Sequence, residues 1–357
     1  MTALIFCLAT AIAFVVCFLL VATQHWHVHI SGKREDGACH ELHQGEVPRL
    51  GGSALFVAGL ICLTLQSNFI DDASAKLLWS LWACLSMVAA VGMYEDFRRN
   101  LPPLARYFGT AFAALFFSVA NGGVGIFEIG IAPFDWLLSH SVFGVLFFVF
   151  AVTGMTHAFN LIDGQNGLSG GVAALSHASL AYVAIQTDQA PLGLLALTMA
   201  GANIGFLLLN YPFGKIFLGD CGAYFNGASL GAVAALVVAG SPDVSPWYAL
   251  TLLIYPTWET VFSMIRRRRR NESLFHPDVE HLHHLFFARD RRQPGVLRHS
   301  SAPRLLILAA LPAALATFCF GHTAVLVSGS MAFVALYLVL YTHLLEWPEN
   351  AHTPEPS

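Results

Sequence analysis

Charge is what this sequence has least of: Asp, Glu, Lys and Arg make up 11% of its 357 residues, where a soluble domain carries roughly 25%. So little charge cannot clothe a core in water, which excludes the soluble classes. Cysteine chemistry is missing too. The seven cysteines (7, 17, 39, 62, 84, 221 and 319) include no CxxC pair and five lie inside apolar runs, so no disulfide framework is implied. There is no repeat of fixed period, and there are no inverted halves of the kind transporters show. No Lys or Arg precedes the first apolar run, Ala3 to Ala22, which is expected to be a true span and not a leader peptide. The net charge of −4 is uninformative by itself, and no nucleic-acid partner is expected.

What is present is apolar length. The chain is 56% hydrophobic with a mean hydropathy of +0.62. Eleven runs approach the roughly 20 residues that a helix needs to cross a bilayer: 3–22, 51–67, 77–93, 104–120, 141–158, 168–186, 191–209, 222–240, 247–265, 304–320 and 323–345. They predict an all-α fold, a polytopic membrane bundle of about 10–11 transmembrane helices, and argue against a barrel of short alternating strands. Threaded alternately, they put 23–50, 94–103, 159–167, 210–221, 266–303 and the C-terminal tail on one side. Of 18 Lys and Arg residues only Lys76 falls in an opposite loop. That side is therefore expected to be cytoplasmic, with the N-terminus outside and the C-terminus inside. The run Arg266 to Arg270 is expected to anchor this topology near anionic headgroups. Residues 1–345 are expected to form one transmembrane domain, and the acidic stretch 346–357 a disordered tail. The glycine-broken outer loop Asn121 to His140 suggests a short hairpin or re-entrant piece and no chemistry.

Every dense polar cluster falls on the cytoplasmic side. Polar groups in hydrocarbon cost several kcal/mol unless protein or water satisfies them, which argues against such clusters being packing filler. The richest is His157 to Gly171, which carries Asn160, Asp163, Gln165, Asn166 and four glycines between two apolar runs. Before it come His43 to Gly52, with Pro48, Arg49 and paired glycines, and Gly92 to Asn100, with the adjacent carboxylates Glu95 and Asp96. Two neighbouring carboxylates at a membrane face need a cation: a divalent metal, a substrate group, or the arginines that follow. Asn210 to Gly222 sets Asp220 between glycines, with Lys215 as a point charge for phosphate and Phe217 as a stacking surface; a helix-capping Asp is the plainer alternative for Asp220. His276 to His284 holds four histidines within nine residues, without tetrahedral zinc spacing, and suits phosphate or sugar donation. Asp71-Asp72 looks like a metal pair but lies in an outer loop without polar company, and is taken as a solvated turn.

In this order the clusters resemble the polyprenyl-phosphate N-acetylhexosamine-1-phosphate transferases, glycosyltransferase family 4. They are closer to the undecaprenyl-phosphate N-acetylglucosamine-1-phosphate type than to the phospho-N-acetylmuramoyl-pentapeptide type. The resemblance spans nearly the whole chain and is carried by Pro48-Arg49-Leu50-Gly51-Gly52, Glu95-Asp96 with Arg106, Asn160 to Leu168, Phe217 to Gly222, and Asp278 to His284. Such proteins move a sugar-1-phosphate from a UDP-sugar to a membrane polyprenyl phosphate and release UMP. The resemblance implies Glu95, Asp96 and Asp220 as catalytic residues. It implies Asp220, with Asp163, as ligands of magnesium, manganese being the alternative. Arg49, Arg106, Asn160, Asp163, Asn166, Asn210, Lys215, Phe217, His281, His283 and His284 are implied as substrate contacts, Phe217 on the uracil. The implied partners are a UDP-N-acetylhexosamine, undecaprenyl phosphate and a second copy in a homodimer. The implied place is the bacterial cytoplasmic membrane, with the product starting a cell-envelope polysaccharide.

The sequence departs from the family pattern at Glu95, where Asp is usual, at His157 for Asn, at Asn166 for Asp, and at Ala223 for Ser. These departures are read as altered sugar specificity, because Asp163, Asp220 and the histidine cluster are intact. Two other classes compete: a polytopic anion transporter, disfavoured because its site belongs near the midplane, and a catalytically silent relative, disfavoured by the same intact residues.

Overall fold

The computed structural model describes residues 2–31, 47–273, 278, 280–292 and 301–346. His43 to Glu46, His276, 293–300 and the expected tail beyond Glu346 lie outside the described residues. Among the described residues there are fifteen helices and no strand: α1 (Thr2–Ala22), α2 (Gln24–Ser31), α3 (Gly51–Gln66), α4 (Asp72–Arg98), α5 (Pro103–Ala120), α6 (Ala132–Leu138), α7 (Ser141–Ile162), α8 (Leu168–Gln186), α9 (Ala190–Asn210), α10 (Gly219–Ala239), α11 (Trp247–Leu252), α12 (Ile254–Arg269), α13 (Leu282–Arg292), α14 (Ser301–Phe318) and α15 (Thr323–Leu345). Nine of these are long and apolar enough to cross a membrane, and α3 is a shorter apolar helix of 16 residues. The expected all-α bundle is what forms.

All eleven apolar runs appear as helix, but the ninth is broken. Pro256 has no N–H for the carbonyl of Leu252 and its ring crowds that carbonyl, so the run splits at Leu253 into α11 and α12. Pro103, Pro133 and Pro191 occupy first turns, where no helical bond is lost, whereas Pro312 lies inside α14. Outside the bundle, the loop 121–140 holds the short helix α6.

α10 lies at the bundle axis, with 83% of its apolar stretch buried, against 17% for α1 and 22% for α15 at the rim. Helices immersed in lipid gain nothing from hiding apolar surface from one another, so close approach and polar ties hold them. A Cβ on Gly227 of α10 would stand 2.4 Å from the Met155 carbonyl of α7. Asn203 of α9 and Asn226 of α10 exchange hydrogen bonds of 3.0 and 2.9 Å.

At the charged end α4, α7 and α12 run past their apolar runs, and α10 starts at Gly219, so Asp220 stands in its first turn and not in the expected loop 210–221. α4 continues to Arg98, so Glu95 and Asp96 stand on its last turn and not in a loop. α7 continues to Ile162 and carries Asn160. The stretch expected as the loop 266–303 contains the end of α12 and all of α13. Helical hydrogen bonding does not stop where side chains turn polar, which is why hydropathy places these ends too early. At the opposite end, Asp71 is a cap: its carboxylate accepts from Ser74 N at 2.9 Å, and these Ser74 hydrogen bonds hold it below the usual carboxylate range.

Candidate active site

The site is built where the N-terminus of α10 meets α3 and α4. Backbone does the joining: Phe217 N donates to Pro48 O, Gly51 N to Phe217 O and Gly52 N to Leu218 O, each at 2.9 Å. This zip fixes Arg49 beside the first turn of α10. Gly219 has φ +76, and a Cβ there would stand 2.5 Å from the Arg49 carbonyl and 2.7 Å from Asp96 Oδ2. Only glycine fits both the angle and the space.

Asp96, 3% exposed, reaches from α4 to cap α10. Its Oδ1 accepts from Asp220 N and its Oδ2 from Cys221 N, both at 2.9 Å. A carboxylate at a helix N-terminus satisfies orphan N–H groups and meets the positive end of the helix dipole. A side-chain cap of this kind is worth about 1 kcal/mol in an exposed helix, and more is at stake here because Asp96 also faces Arg49 (Nε to Oδ1, 3.7 Å).

Asp220 itself points away from this cap. It accepts from Asn160 Nδ2 at 3.0 Å, and stands 3.7 Å from Arg49 Nη2 and 3.8 Å from Arg106 Nη1. Glu95, on the same turn as Asp96, accepts from Leu101 N at 3.0 Å and lies 3.6 Å from Arg106 Nη1. Three carboxylates thus converge on two guanidiniums from other segments, Arg49 and Arg106, and not only on the arginines that follow Asp96. Behind Arg106, His157 is stacked on Tyr107 (centroids 5.7 Å apart, 18° between planes), lies edge to face with Tyr224, and meets Thr110 Oγ1 at 3.2 Å.

The loop after α7 joins this cluster to the histidines. Asp163 and Asn166 are half-buried at its mouth. A Cβ on Gly164 would strike His283 Nε2 at 2.2 Å, so glycine there makes room for the imidazole. Gln165 Nε2 donates to His283 O at 2.6 Å, and Ser301 Oγ donates to Gln165 Oε1 at 2.9 Å. Of the three histidines, His281 and His283 are buried and His284 is half-buried.

α12 holds the histidine segment down. Arg266 Nη1 donates to Glu280 O at 2.8 Å and Tyr341 Oη at 2.7 Å, while its Nη2 grips Asp278. Ser263 Oγ donates to Asp278 at 2.6 Å, and Arg270 Nη1 meets both Glu280 carboxylate oxygens at 2.8 Å. Burial works against the charge on Asp278, but the Ser263 and Glu280 hydrogen bonds, His281 and Arg266 keep its carboxyl below the usual range. Arg270 does the same for Glu280. The arginine run is therefore not simply a headgroup anchor: Arg266 and Arg267 are buried, and only Arg268 to Arg270 are exposed.

Two expected contacts are spent within the protein. The Asn210 carboxamide accepts from Gly167 N at 2.7 Å and donates to Ile216 O at 2.8 Å, so it clips two loops together. His281 has Glu259 3.2 Å from Nδ1 and Asp278 3.6 Å from Nε2. Lys215 is exposed beside Phe213, its Nζ 6.0 Å from the ring centroid, and Phe217 is half-buried on the backbone zip. Sequence reasoning gave Gln165 no separate role and missed the Arg266 clamp and Glu259. The last had a signal, since it is the single charged residue between Leu250 and Ile265, and a lone carboxylate in an apolar span marks function by default.

Among the described residues no group of three or more His, Cys, Asp or Glu side chains is arranged to hold a metal. The donors at the cluster are oxygens without thiolate, and one or two carboxylates suffice for magnesium, which keeps several waters.

Residues 78–238, from α4 to α10, match the sequence model described as glycosyl transferase family 4. The chain is 28% identical over 248 residues to the undecaprenyl-phosphate alpha-N-acetylglucosaminyl 1-phosphate transferase of Yersinia pestis, covering 68% of this chain and 66% of that protein. Its counterpart of the same name in Escherichia coli (strain K12) is 28% identical over 257 residues, with the same coverage. The chain thus spans about two thirds of the length of these relatives. The decaprenyl-phosphate N-acetylglucosaminephosphotransferase of Mycolicibacterium smegmatis is 26% identical over 341 residues, covering 88% of this chain and 82% of that protein. Residues 78–238 of this multi-pass membrane protein, which hold Glu95, Asp96, Arg106 and Asp220 while Arg49 lies before them, are thus similar to glycosyl transferase family 4.

Proposed function

We propose that the protein transfers an N-acetylhexosamine-1-phosphate from a UDP-sugar to a polyprenyl phosphate, undecaprenyl phosphate in a bacterial cytoplasmic membrane, with the charged end facing the cytoplasm. The observation that carries this reading is the convergence of Glu95, Asp96 and Asp220 with Arg49 and Arg106 at one end of an apolar bundle. Both substrates are anions that repel each other, and catalysis of phosphoryl transfer is largely positioning and charge stabilisation. Arg49 and Arg106 stand 3.6–3.8 Å from their carboxylates, near enough to be oriented by them yet outside direct hydrogen-bond distance. They are thus available to phosphate oxygens. An oxygen of the lipid phosphate attacks the sugar-linked phosphorus, the bond to the UMP oxygen breaks, and UMP leaves. Glu95 is the better base for a proton on the lipid phosphate, because both oxygens of Asp96 are committed to α10. The extra methylene of Glu95 gives it reach past that cap.

Magnesium, or manganese in its place, would be held by Asp220 and Asp163 and would neutralise diphosphate charge when bound. Asn160 orients Asp220, Phe217 supplies a face for the uracil, and Asn166, Lys215, His283 and His284 surround the sugar diphosphate. Asn210 and His281 serve as supports. A transporter reading is disfavoured because the charged clusters crowd one end of the bundle. The product would start a cell-envelope polysaccharide, and a homodimer accords with the family. Purified protein given magnesium, polyprenyl phosphate and a panel of UDP-N-acetylhexosamines is expected to release UMP with at least one donor. Folded protein that releases none with every donor would contradict the proposal.

A further inference from the structure

We propose that Glu259, buried on α12, is a positioning residue that aims the histidine cluster through His281. Its Oε1 accepts from the Leu282 N–H at 3.0 Å and lies 3.2 Å from His281 Nδ1. The first contact caps α13 at its first residue, and the second fixes the first imidazole. Asp278 takes the other side of the ring, 3.6 Å from Nε2. The Glu259 contact on Nδ1 sets the ring orientation, and Asp278 on the far side favours the same orientation electrostatically. That orientation is passed on: His281 stacks on His283 with centroids 5.6 Å apart and planes 8° apart, and His283 lies 4.1 Å from His284 and against Gly164. Glu259 is 1% exposed and His281 5%, so neither is placed to be a surface contact for a soluble nucleotide. The break at Leu253 lets α12 run separately from α11, and Glu259 stands one turn after Pro256 on that separate segment.

Only the kinetic arm of the test rests on the transferase reading. Hydrogen exchange of the full-length protein in nanodiscs is compared for the parent, Glu259→Ala and Glu259→Gln. In Glu259→Ala, exchange in the first turn of α13 is expected to rise about tenfold while the first turn of α10 is unchanged. The donor KM is expected to rise about tenfold, with the polyprenyl phosphate KM within about twofold and kcat less affected than the donor KM. Glu259→Gln keeps an oxygen that accepts both N–H groups, and is expected to recover most of both effects. Unchanged α13 exchange in Glu259→Ala, or a rise spread evenly over every helix, overturns the proposal. So does an equal loss for both substrates. If Glu259→Ala yields no folded protein, Glu259→Asp, which withdraws the charge by one methylene, must show the same localised exchange and donor-only split. A parent that releases no UMP sinks the transferase reading, while the exchange pattern still decides the role of Glu259.

Discussion

Among the helices that begin at the charged end of this bundle, α10 and α13 are each capped by a carboxylate from another helix. Asp96 of α4 caps α10, and Glu259 of α12 caps α13. The caps are alike in chemistry and opposite in surroundings. Around Asp96 the fit is backbone on backbone: a Cβ on Gly92 would meet the Asp220 carbonyl at 2.6 Å, and one on Gly52 would meet Gly222 N at 2.2 Å. Around Glu259 the fit is made by side chains: His281 lies on its carboxylate, and Asp278, which Ser263 and Arg266 hold, lies beyond the ring. The family match ends at residue 238, so it includes the first cap and not the second. The difference teaches where close backbone fit is used: Asp220, the proposed reacting carboxylate, stands on the tightly packed first turn of α10, and the histidines are held through side chains.

The comparison can be broken in order of expected effect. Asp220→Asn should lower UMP release by about 10³-fold with the thermal midpoint little changed, because it removes charge at the reacting centre and not the cap; a fall under tenfold would detach α10 from the chemistry. Gly219→Ala should follow. Its methyl group would collide with the Arg49 carbonyl and Asp96, and holding φ at +76 costs about 1–3 kcal/mol. Thermal unfolding should record that loss together with most of the activity, and a fully stable, active variant would mean the tight cap is dispensable. Arg266→Ala should be milder on turnover, raising the donor KM and lowering stability by up to about 3 kcal/mol, since it leaves Asp278 without its buried partner. Equal effects on donor and lipid kinetics would erase the distinction between the two regions. Least affected should be Asp71→Asn, with rates within about twofold, because asparagine caps a helix as well as aspartate does.

The spans were legible because length and apolarity are local properties. The clusters were legible because polar residues are rare enough here for each group to stand out. Partnerships were not. Asp96 and Cys221 are 125 residues apart, and nothing in either neighbourhood announces that one carboxylate takes two backbone N–H groups from the other's helix. Glu95 and Asp96 look equivalent in sequence and separate only in space, one left beside Arg106 and the other spent on α10. The arginine run was half legible: its place on the charged side is clear, but the burial of Arg266 depends on Tyr341 and Glu280 arriving from elsewhere. Pro256 and Glu259 were visible signals inside a run otherwise read as one apolar helix.

The most direct measurement is the identity of the nucleotide released when the parent protein is given magnesium, a UDP-N-acetylhexosamine and polyprenyl phosphate. The account predicts UMP together with a lipid carrying a diphosphate-linked sugar, and neither product from Asp220→Asn. Release of UDP with a monophosphate-linked sugar would contradict it, because the bond broken would then be the one between sugar and phosphate.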